Sequence, residues 1–264
     1  MRIIAITAVV LALTITAALL FLQTEEIEQT QISASNRTPE QRAGTRYQPV
    51  ASPFTPVLRE VSPPAFQGAN SIWGSTGRDD NGHIWLGVSG SGKDPAHLVE
   101  FDPELDRFID HGDPVAALRS AGIYRDGEQQ VKIHSKIIQM DDGWLYFASM
   151  DETGENSKSG QLPRWGSHFW RYSPSADHWQ HLFAAPEGLI AVSGVGRFVY
   201  ALGYWGHILY QYDTHTGESR QIRVGSEGGH ISRNLISDSN GHVYVPKVKY
   251  IKLKPEGDND TAAI

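Results

Sequence analysis

The chain has 264 residues, no cysteine and a formal net charge of −7 at pH 7. This length accommodates one large all-β domain or two small ones. The lack of cysteine excludes disulfides, thiol catalysis and thiolate metal ligands. The negative charge gives no support to nucleic-acid binding, which usually leaves a basic footprint. Seven Trp, ten Tyr and 26 Gly favour strands that are joined by tight turns.

The N-terminal segment, residues 1–23, is predicted to be a transmembrane signal-anchor. No charged residue occurs from Ile3 to Leu22, a run of twenty residues, and a helix of about that length spans a bilayer core of roughly 30 Å. A cleaved signal peptide, the alternative, usually has a shorter apolar stretch. Because Arg2 precedes the run, the N-terminus is expected on the cytoplasmic side. The rest of the chain should then face the periplasm or the cell exterior, tethered to the membrane.

Residues 24–65 are predicted to form a disordered linker. They are rich in Gln, Thr, Ser, Glu and Pro and contain few aliphatic residues. Such a segment cannot bury enough apolar surface to order itself. The folded domain is therefore expected to occupy residues 66–264.

Four segments of this domain align around a turn that contains glycine. In each, a run of aromatic and β-branched residues follows the glycine, which is typical of a hairpin and its second strand. The four glycines are Gly82, Gly143, Gly196 and Gly241. Their separations of 61, 53 and 45 residues approach the length of a four-stranded propeller blade with loop insertions.

A third strand and a turn follow in the first three segments, at His97–Pro103, His168–Pro174 and His207–Asp213. A short outer strand comes next, as at Arg107–Ile109 and Ser219–Arg223. The predicted fold is therefore all-β, a β-propeller of which about three and a half blades are present, preceded by the N-terminal hydrophobic helix.

An incomplete propeller would expose an unpaired edge. We therefore interpret this chain as a fragment of a longer propeller. The alternative is a small four-bladed ring in which residues 50–66 supply the missing strands.

The repeats resemble those of streptogramin-lyase-like and other seven-bladed β-propeller proteins. The resemblance is carried by Asn81-Gly82-His83-Ile84-Trp85, Phe101-Asp102-Pro103 and Tyr212-Asp213-Thr214-His215-Thr216-Gly217, and it covers about residues 68–264. It implies part of a seven-bladed propeller. Several families of that type are lyases that use histidines and a divalent metal, whereas others only bind ligands. Both possibilities stay open, because a fold does not determine a function.

Five of the eleven histidines stand near strand starts. They are His97, His168 and His207 at third strands and His134 and His230 near inner strands. The loops that enter the first and third strands of a blade lie on the same face. We therefore expect these histidines on one face, where loops on a propeller usually form ligand sites. His111, His178, His181 and His215 fall in outer strands or turns and are expected to be exposed to water.

Two chemical uses fit histidines on that face. As metal ligands, His134, His168 and His230 would bind a divalent ion such as Mn, Zn or Ca. As a general base near pH 7, His134 or His230 would support β-elimination from an acidic sugar. The alternative is structural, with the imidazoles bonded to backbone carbonyls of the loops.

Cationic and aromatic residues complete the predicted site. Lys136 and Arg233 follow two and three residues after His134 and His230 and would stabilise an enolate or hold a carboxylate. In the long insertion at residues 149–166, Arg164 and Trp165 would contact substrate, as would Trp205 in the next repeat, although both Trp side chains could instead cover the core.

The predicted ligand is a small molecule or carbohydrate, which is either bound or cleaved. The alternative is a periplasmic binding or scaffold propeller without catalysis. The membrane is contacted only through the N-terminal helix, and no nucleic acid is expected as a partner.

Overall fold

The computed structural model describes residues 58–156, 159–204, 208–224 and 234–246, together with the backbone of two strands at 250–251 and 262–263. The predicted anchor at 1–23 and most of the predicted linker at 24–65 lie outside the described residues. Residues 61–264 belong to one compact unit. In the described part of the chain, no helix has the length and apolarity needed to cross a bilayer.

The described residues form mostly antiparallel β-sheet. The first sheet contains β1 (Thr76–Arg78), β2 (Ile84–Val88), β3 (His97–Asp102) and β4 (Arg107–Asp110). The second contains β5 (Lys132–Ile133), β6 (Ile138–Gln139), β7 (Leu145–Met150), β8 (Ser167–Ser173) and β9 (His178–Ala185). The third contains β10 (Leu189–Val195), β11 (Phe198–Gly203), β12 (Ile208–Asp213) and β13 (Ser219–Arg223). Two shorter pairs are β14 (Ile236–Ser237) with β15 (Val243–Tyr244) and β16 (Tyr250–Ile251) with β17 (Ala262–Ala263).

Apart from β5 and β6, strands that follow one another in the chain within a sheet are also neighbours in that sheet. The first and third sheets have the orders β1-β2-β3-β4 and β10-β11-β12-β13, and in the second sheet β5 and β6 both pair with β7, which continues to β8 and β9. The interrupted inner strand leaves residues 134–137 between two short pieces. The prediction of mostly β structure in repeated antiparallel sheets is therefore confirmed.

The turn chemistry explains why the repeats align. Positive φ angles of 90°, 79°, 55° and 86° are found at the four turn glycines, Gly82, Gly143, Gly196 and Gly241. A residue with a Cβ atom rarely adopts this backbone conformation. In the first turn, Asp79 also accepts a hydrogen bond from the backbone of His83 at 2.9 Å, and Asp238 accepts from His242 at the same distance in the fourth. These repeated residues therefore serve the turns.

Both faces of the second sheet are buried. Leu145 and Phe147 of β7 pack with Trp85 of the first sheet, whereas Tyr146 on the other face packs with Val199 of the third. All six residues of β7 are buried, so this strand has no alternation of apolar and polar residues. The two clusters join the three sheets face to face.

A short helix, Pro114–Ser120, follows the first sheet. Asp113 caps it, because its carboxylate accepts the backbone N–H of Ala116 at 2.7 Å. Pro114 occupies the first turn, where a missing N–H costs nothing. Leu118 is fully buried against the cluster between the first and second sheets, and this contact holds the helix beside β9.

The pairing of β8 with β9 contains a β-bulge. Phe169 pairs with Phe183, but the next residue, Trp170, pairs with His181, so that Leu182 is the extra residue. Paired residues point to the same face of a sheet, and successive residues alternate. The bulge therefore places His181 on the same face as His168.

Candidate functional site

Four loops meet on the face where the first and third strands of the sheets begin. They enclose a groove of about 440 Å³, named here the strand-entry groove. Its lining residues are Asn70, Trp73, Gly90, Ser91, Gly92, Gln129, Val131, Lys132, Glu152 and Thr153. The groove lies on the face where the sequence predicts a ligand site, but none of the predicted site residues that the structure describes lines it.

An ion pair and an indole ring dominate the strand-entry groove. Lys132 Nζ lies 2.7 Å from Glu152 Oε1 and 4.9 Å from the centroid of the Trp73 ring. The Trp73 side chain is 42% exposed, so its ring is open to a ligand. The Lys132 side chain is only 18% exposed, which strengthens its interaction with an anion by limiting access of water.

Asp151 holds two walls of this groove together. Its side chain is fully buried. One carboxylate oxygen accepts the backbone N–H of Gln129 at 2.7 Å, and the other accepts that of Thr153, also at 2.7 Å. The lining residues Gln129 and Thr153 therefore keep fixed positions relative to each other.

The lining fits a sugar better than an apolar ligand. Amide and hydroxyl groups of Asn70, Gln129, Ser91 and Thr153 can donate or accept hydrogen bonds. An exposed indole offers a flat apolar surface for the C–H face of a pyranose ring. A carboxylate on that sugar would find its partner in Lys132.

His134 lies next to the groove. It is 6% exposed, and its ring centroid is 6.1 Å from that of Trp73. It occupies the interruption between β5 and β6, two residues beyond Lys132. Lys136, the cation predicted to assist it, is exposed and does not line the groove.

His168 is bonded through both ring nitrogens. Nε2 lies 2.6 Å from Glu128 Oε1, and Nδ1 lies 2.8 Å from His181 Nε2. Its partners are side chains and not the backbone carbonyls of the alternative interpretation. A metal at His168 would have to replace one of these bonds, because a metal ligand needs a free lone pair.

The predicted metal site stays a prediction. His230 and Arg233 lie outside the described residues, as does Trp205. Among the residues that the structure does describe, no group of three His, Asp or Glu side chains is arranged to hold a metal ion.

The other predicted substrate contacts lie in the insertion. The guanidinium carbon of Arg164 is 4.5 Å from the centroid of the Trp165 ring. Arg164 is exposed and Trp165 half-buried, and neither lines the strand-entry groove.

Two histidines that were expected to be exposed to water take part in buried networks instead. His111 Nε2 lies 2.7 Å from Glu100 Oε2, and only 10% of its side chain is exposed. His181 is half-buried against His168. Burial and, to a smaller extent, the neighbouring His168 lower the pKa of His181 to about 4. Tertiary packing explains both departures, because neither has a local signal in the sequence.

Trp73 and Lys132 were missed as site residues. Lys132 begins β5, two residues before His134, so its place at the start of an inner strand was visible in the repeats. Trp73 precedes the first strand and has no counterpart in the other repeats. The only available signal was an aromatic residue beside Gly74 in a loop on the predicted face.

Comparison with known proteins gives only remote likenesses. No protein-family model and no curated protein matches the chain. The extracellular domain of a hybrid two-component system from B. thetaiotaomicron aligns with a TM-score of 0.45 and 14% identity, over 69% of this chain and 22% of that one. The computationally designed protein Ika4 aligns with a TM-score of 0.42 and 15% identity, over 72% and 99% of the two chains. The chain thus spans about a fifth of the length of the first structure, and likeness at this level carries no functional information.

Proposed function

We propose that this chain is part of an exported, membrane-tethered β-propeller that binds an acidic carbohydrate in the strand-entry groove. The first three sheets are successive antiparallel meanders of four or five strands that pack face to face, which supports the proposal because propeller blades are four-stranded meanders stacked in this way. The apolar run of residues 3–22 supports export and tethering.

The observation that carries the proposal is the pairing of an exposed indole with a half-buried ammonium group. Trp73 and Lys132 lie 4.9 Å apart, measured from ring centroid to Nζ. A uronate ring that stacks on Trp73 can place its carboxylate at Lys132. In the free groove Lys132 is already paired with Glu152, so the ligand carboxylate must displace Glu152 from Lys132.

This exchange predicts opposite effects for the two partners. Lys132→Met removes a charge-assisted hydrogen bond and should weaken binding about tenfold. Glu152→Gln removes the competing carboxylate and should strengthen it. Lys136→Met is the matched control, because Lys136 is an exposed lysine that does not line the groove.

Isothermal titration calorimetry on the purified full chain tests the proposal. The probes are a uronate tetrasaccharide and its methyl ester, which has the same rings without the charges. We expect the acid to bind more tightly than the ester, and Lys132→Met to abolish this preference. Equal binding of acid and ester, or a larger effect of Lys136→Met than of Lys132→Met, would overturn it.

Cleavage is the second candidate function, favoured by the position of His134 beside Trp73. In β-elimination, a base removes the proton from the carbon next to the sugar carboxylate, and that electron pair forms a C=C bond. The bond between the β-carbon and the glycosidic oxygen breaks, its electron pair goes to the oxygen, and the oxygen takes a proton from water. His134 would be the base, with Arg233 stabilising the enolate, and a metal at His134, His168 and His230 would assist. An ultraviolet-absorbing unsaturated product, formed with Mn, Zn or Ca present and lost in His134→Ala, would establish cleavage. Tight binding without product would leave the protein a binding module.

A further inference from the structure

A second cavity lies between the helix Pro114–Ser120 and strand β9. It has a volume of about 630 Å³ and is named here the helix groove. Trp170 and Trp179 contribute aromatic surface to it, and Ala116, Ala117 and Ile123 contribute aliphatic surface. It shares no lining residue with the strand-entry groove.

The formal charges of the helix groove are all negative. Asp113 and Asp177 line it, whereas none of its lining residues is Lys or Arg. Three histidines, His111, His178 and His181, also line it. His181 stays neutral at pH 7, because burial and the nearby His168 lower its pKa to about 4. The cavity therefore complements a cation and disfavours an anion.

Asp177 is held in an accessible position. It lies in the turn before β9 with a φ of 47°, and 78% of its side chain is exposed. The Tyr172 hydroxyl donates to Oδ1 at 2.6 Å, and His111 Nδ1 lies 3.2 Å from the same oxygen. These two contacts, the first above all, lower the pKa of Asp177 below its usual value, so that it remains ionised.

The Trp179 ring is fixed by its neighbours. Its Nε1 donates to the backbone carbonyl of His111 at 2.8 Å. Its ring packs edge-on against Trp170 and Phe147, with centroid distances of 5.5 and 5.2 Å. An indole face in such a setting attracts an organic cation through its quadrupole.

We propose that the helix groove binds an organic ammonium ion, with Trp179 and Asp177 as its principal contacts. The alkyl groups of the ion would lie against the aromatic and aliphatic walls. Its charge would be neutralised by Asp177, with Asp113 contributing at longer range. This site and its ligand class are independent of carbohydrate binding in the strand-entry groove.

The test uses choline and its neutral isostere 3,3-dimethyl-1-butanol, each titrated into the full chain and followed by ligand-observed NMR. We expect choline to bind and the isostere to bind at least about threefold more weakly, since exposed charge pairs and cation–π contacts contribute modest energies. Added salt should weaken choline binding only. Equal binding of both probes, or of neither, would overturn the proposal.

Variants locate the site. Asp177→Asn keeps a hydrogen-bond acceptor for Tyr172 and tolerates the left-handed backbone, so it should fold normally and bind choline about three- to fivefold more weakly. Asp126→Asn, an exposed aspartate that does not line the groove, is the matched control and should have no effect. An unchanged affinity in Asp177→Asn would assign choline binding to another place. Competition of choline with the uronate tetrasaccharide would likewise contradict two separate sites.

Discussion

The two grooves are built in different ways. The strand-entry groove is formed largely by loops, and its central ion pair, Lys132 with Glu152, is partly open to water. The helix groove is formed by a helix and a sheet, and hydrogen-bond chains lie directly behind its histidines. One chain joins Glu128, His168 and His181 at distances of 2.6 and 2.8 Å.

This difference predicts where the protein is sensitive to substitution. A charge pair near the surface contributes little to stability because water already solvates its members. A buried chain of polar groups is costly to break, because each orphaned group loses a partner that water cannot replace. Changes to the Lys132–Glu152 pair should therefore alter affinity at little cost in stability, whereas changes to the Glu128–His168–His181 chain should lower the free energy of unfolding.

Loss of Glu128 should have the largest effect. Glu128 is 2% exposed and accepts from Gln130 Nε2 at 2.9 Å in addition to contacting His168. Glu128→Ala leaves both groups without this partner and should lower the free energy of unfolding by about 3 kcal/mol. Urea unfolding followed by circular dichroism measures this. Glu104→Ala, in an exposed turn, is the control, and a loss no larger than that of the control would contradict the assigned network.

Loss of Asp151 should come next, on the side of the strand-entry groove. Asp151→Ala removes the acceptor of three backbone N–H groups, those of Gln129, Gln130 and Thr153, and should cost about 2 kcal/mol. Asp151→Asn keeps one side-chain oxygen and should cost less. The same urea titration measures both, and equal losses in the two variants would show that the hydrogen bonds are not what Asp151 contributes.

Lowering the pH should reduce the free energy of unfolding through His181, by less than the loss of Asp151 does. The pKa of His181 is lowered from 6.5 to about 4, so the unfolded chain binds a proton as the pH falls through 6.5, while the folded protein does not. The stabilisation is complete above that range and decreases towards pH 4, by about 1 kcal/mol between pH 7 and 5 after solvent screening. His181→Gln should flatten this part of the pH profile of unfolding, whereas His178→Gln, in an exposed position, should not. An unchanged slope in His181→Gln would exclude His181 as its source.

The smallest effect on stability should come from Glu152. Glu152→Gln breaks an ion pair whose carboxylate side chain is 39% exposed, and the free energy of unfolding should change by less than about 0.5 kcal/mol. The same variant should bind the uronate probe more tightly. A large loss of stability without a gain in affinity would mean that the pair is structural and would remove the contrast between the two grooves.

The repeated sheets were predictable because their signals are local. Gly82 and its counterparts make turns by their own backbone preference, and the aromatic and β-branched runs beside them form the adjacent strands. The face of the strand-entry groove followed from strand direction alone. Lys132 and Trp73 did not, because the contact between a loop residue and an inner strand depends on how the loops pack.

The buried histidines could not have been identified in the same way. His181 and His178 lie in one outer strand with similar neighbours in sequence, yet only His181 contacts His168. Glu128 is forty residues from His168 in the chain, and nothing in the spacing of the repeats joins them. His134 is intermediate, since its place near a strand start was predicted and its proximity to Trp73 was not.

The bulge at Leu182 limits which residue of β9 can be deleted. If β9 paired regularly from Phe183 with Leu182 retained, Leu182 would lie opposite Trp170 and His181 opposite Arg171, which would turn Trp179 and His181 to the other face of the sheet. The contact of His181 with His168 and the edge-on packing of Trp179 against Trp170 would then be lost together. A one-residue deletion should therefore be tolerated best at Leu182, because losing the extra residue leaves every other pair of β8 and β9 unchanged.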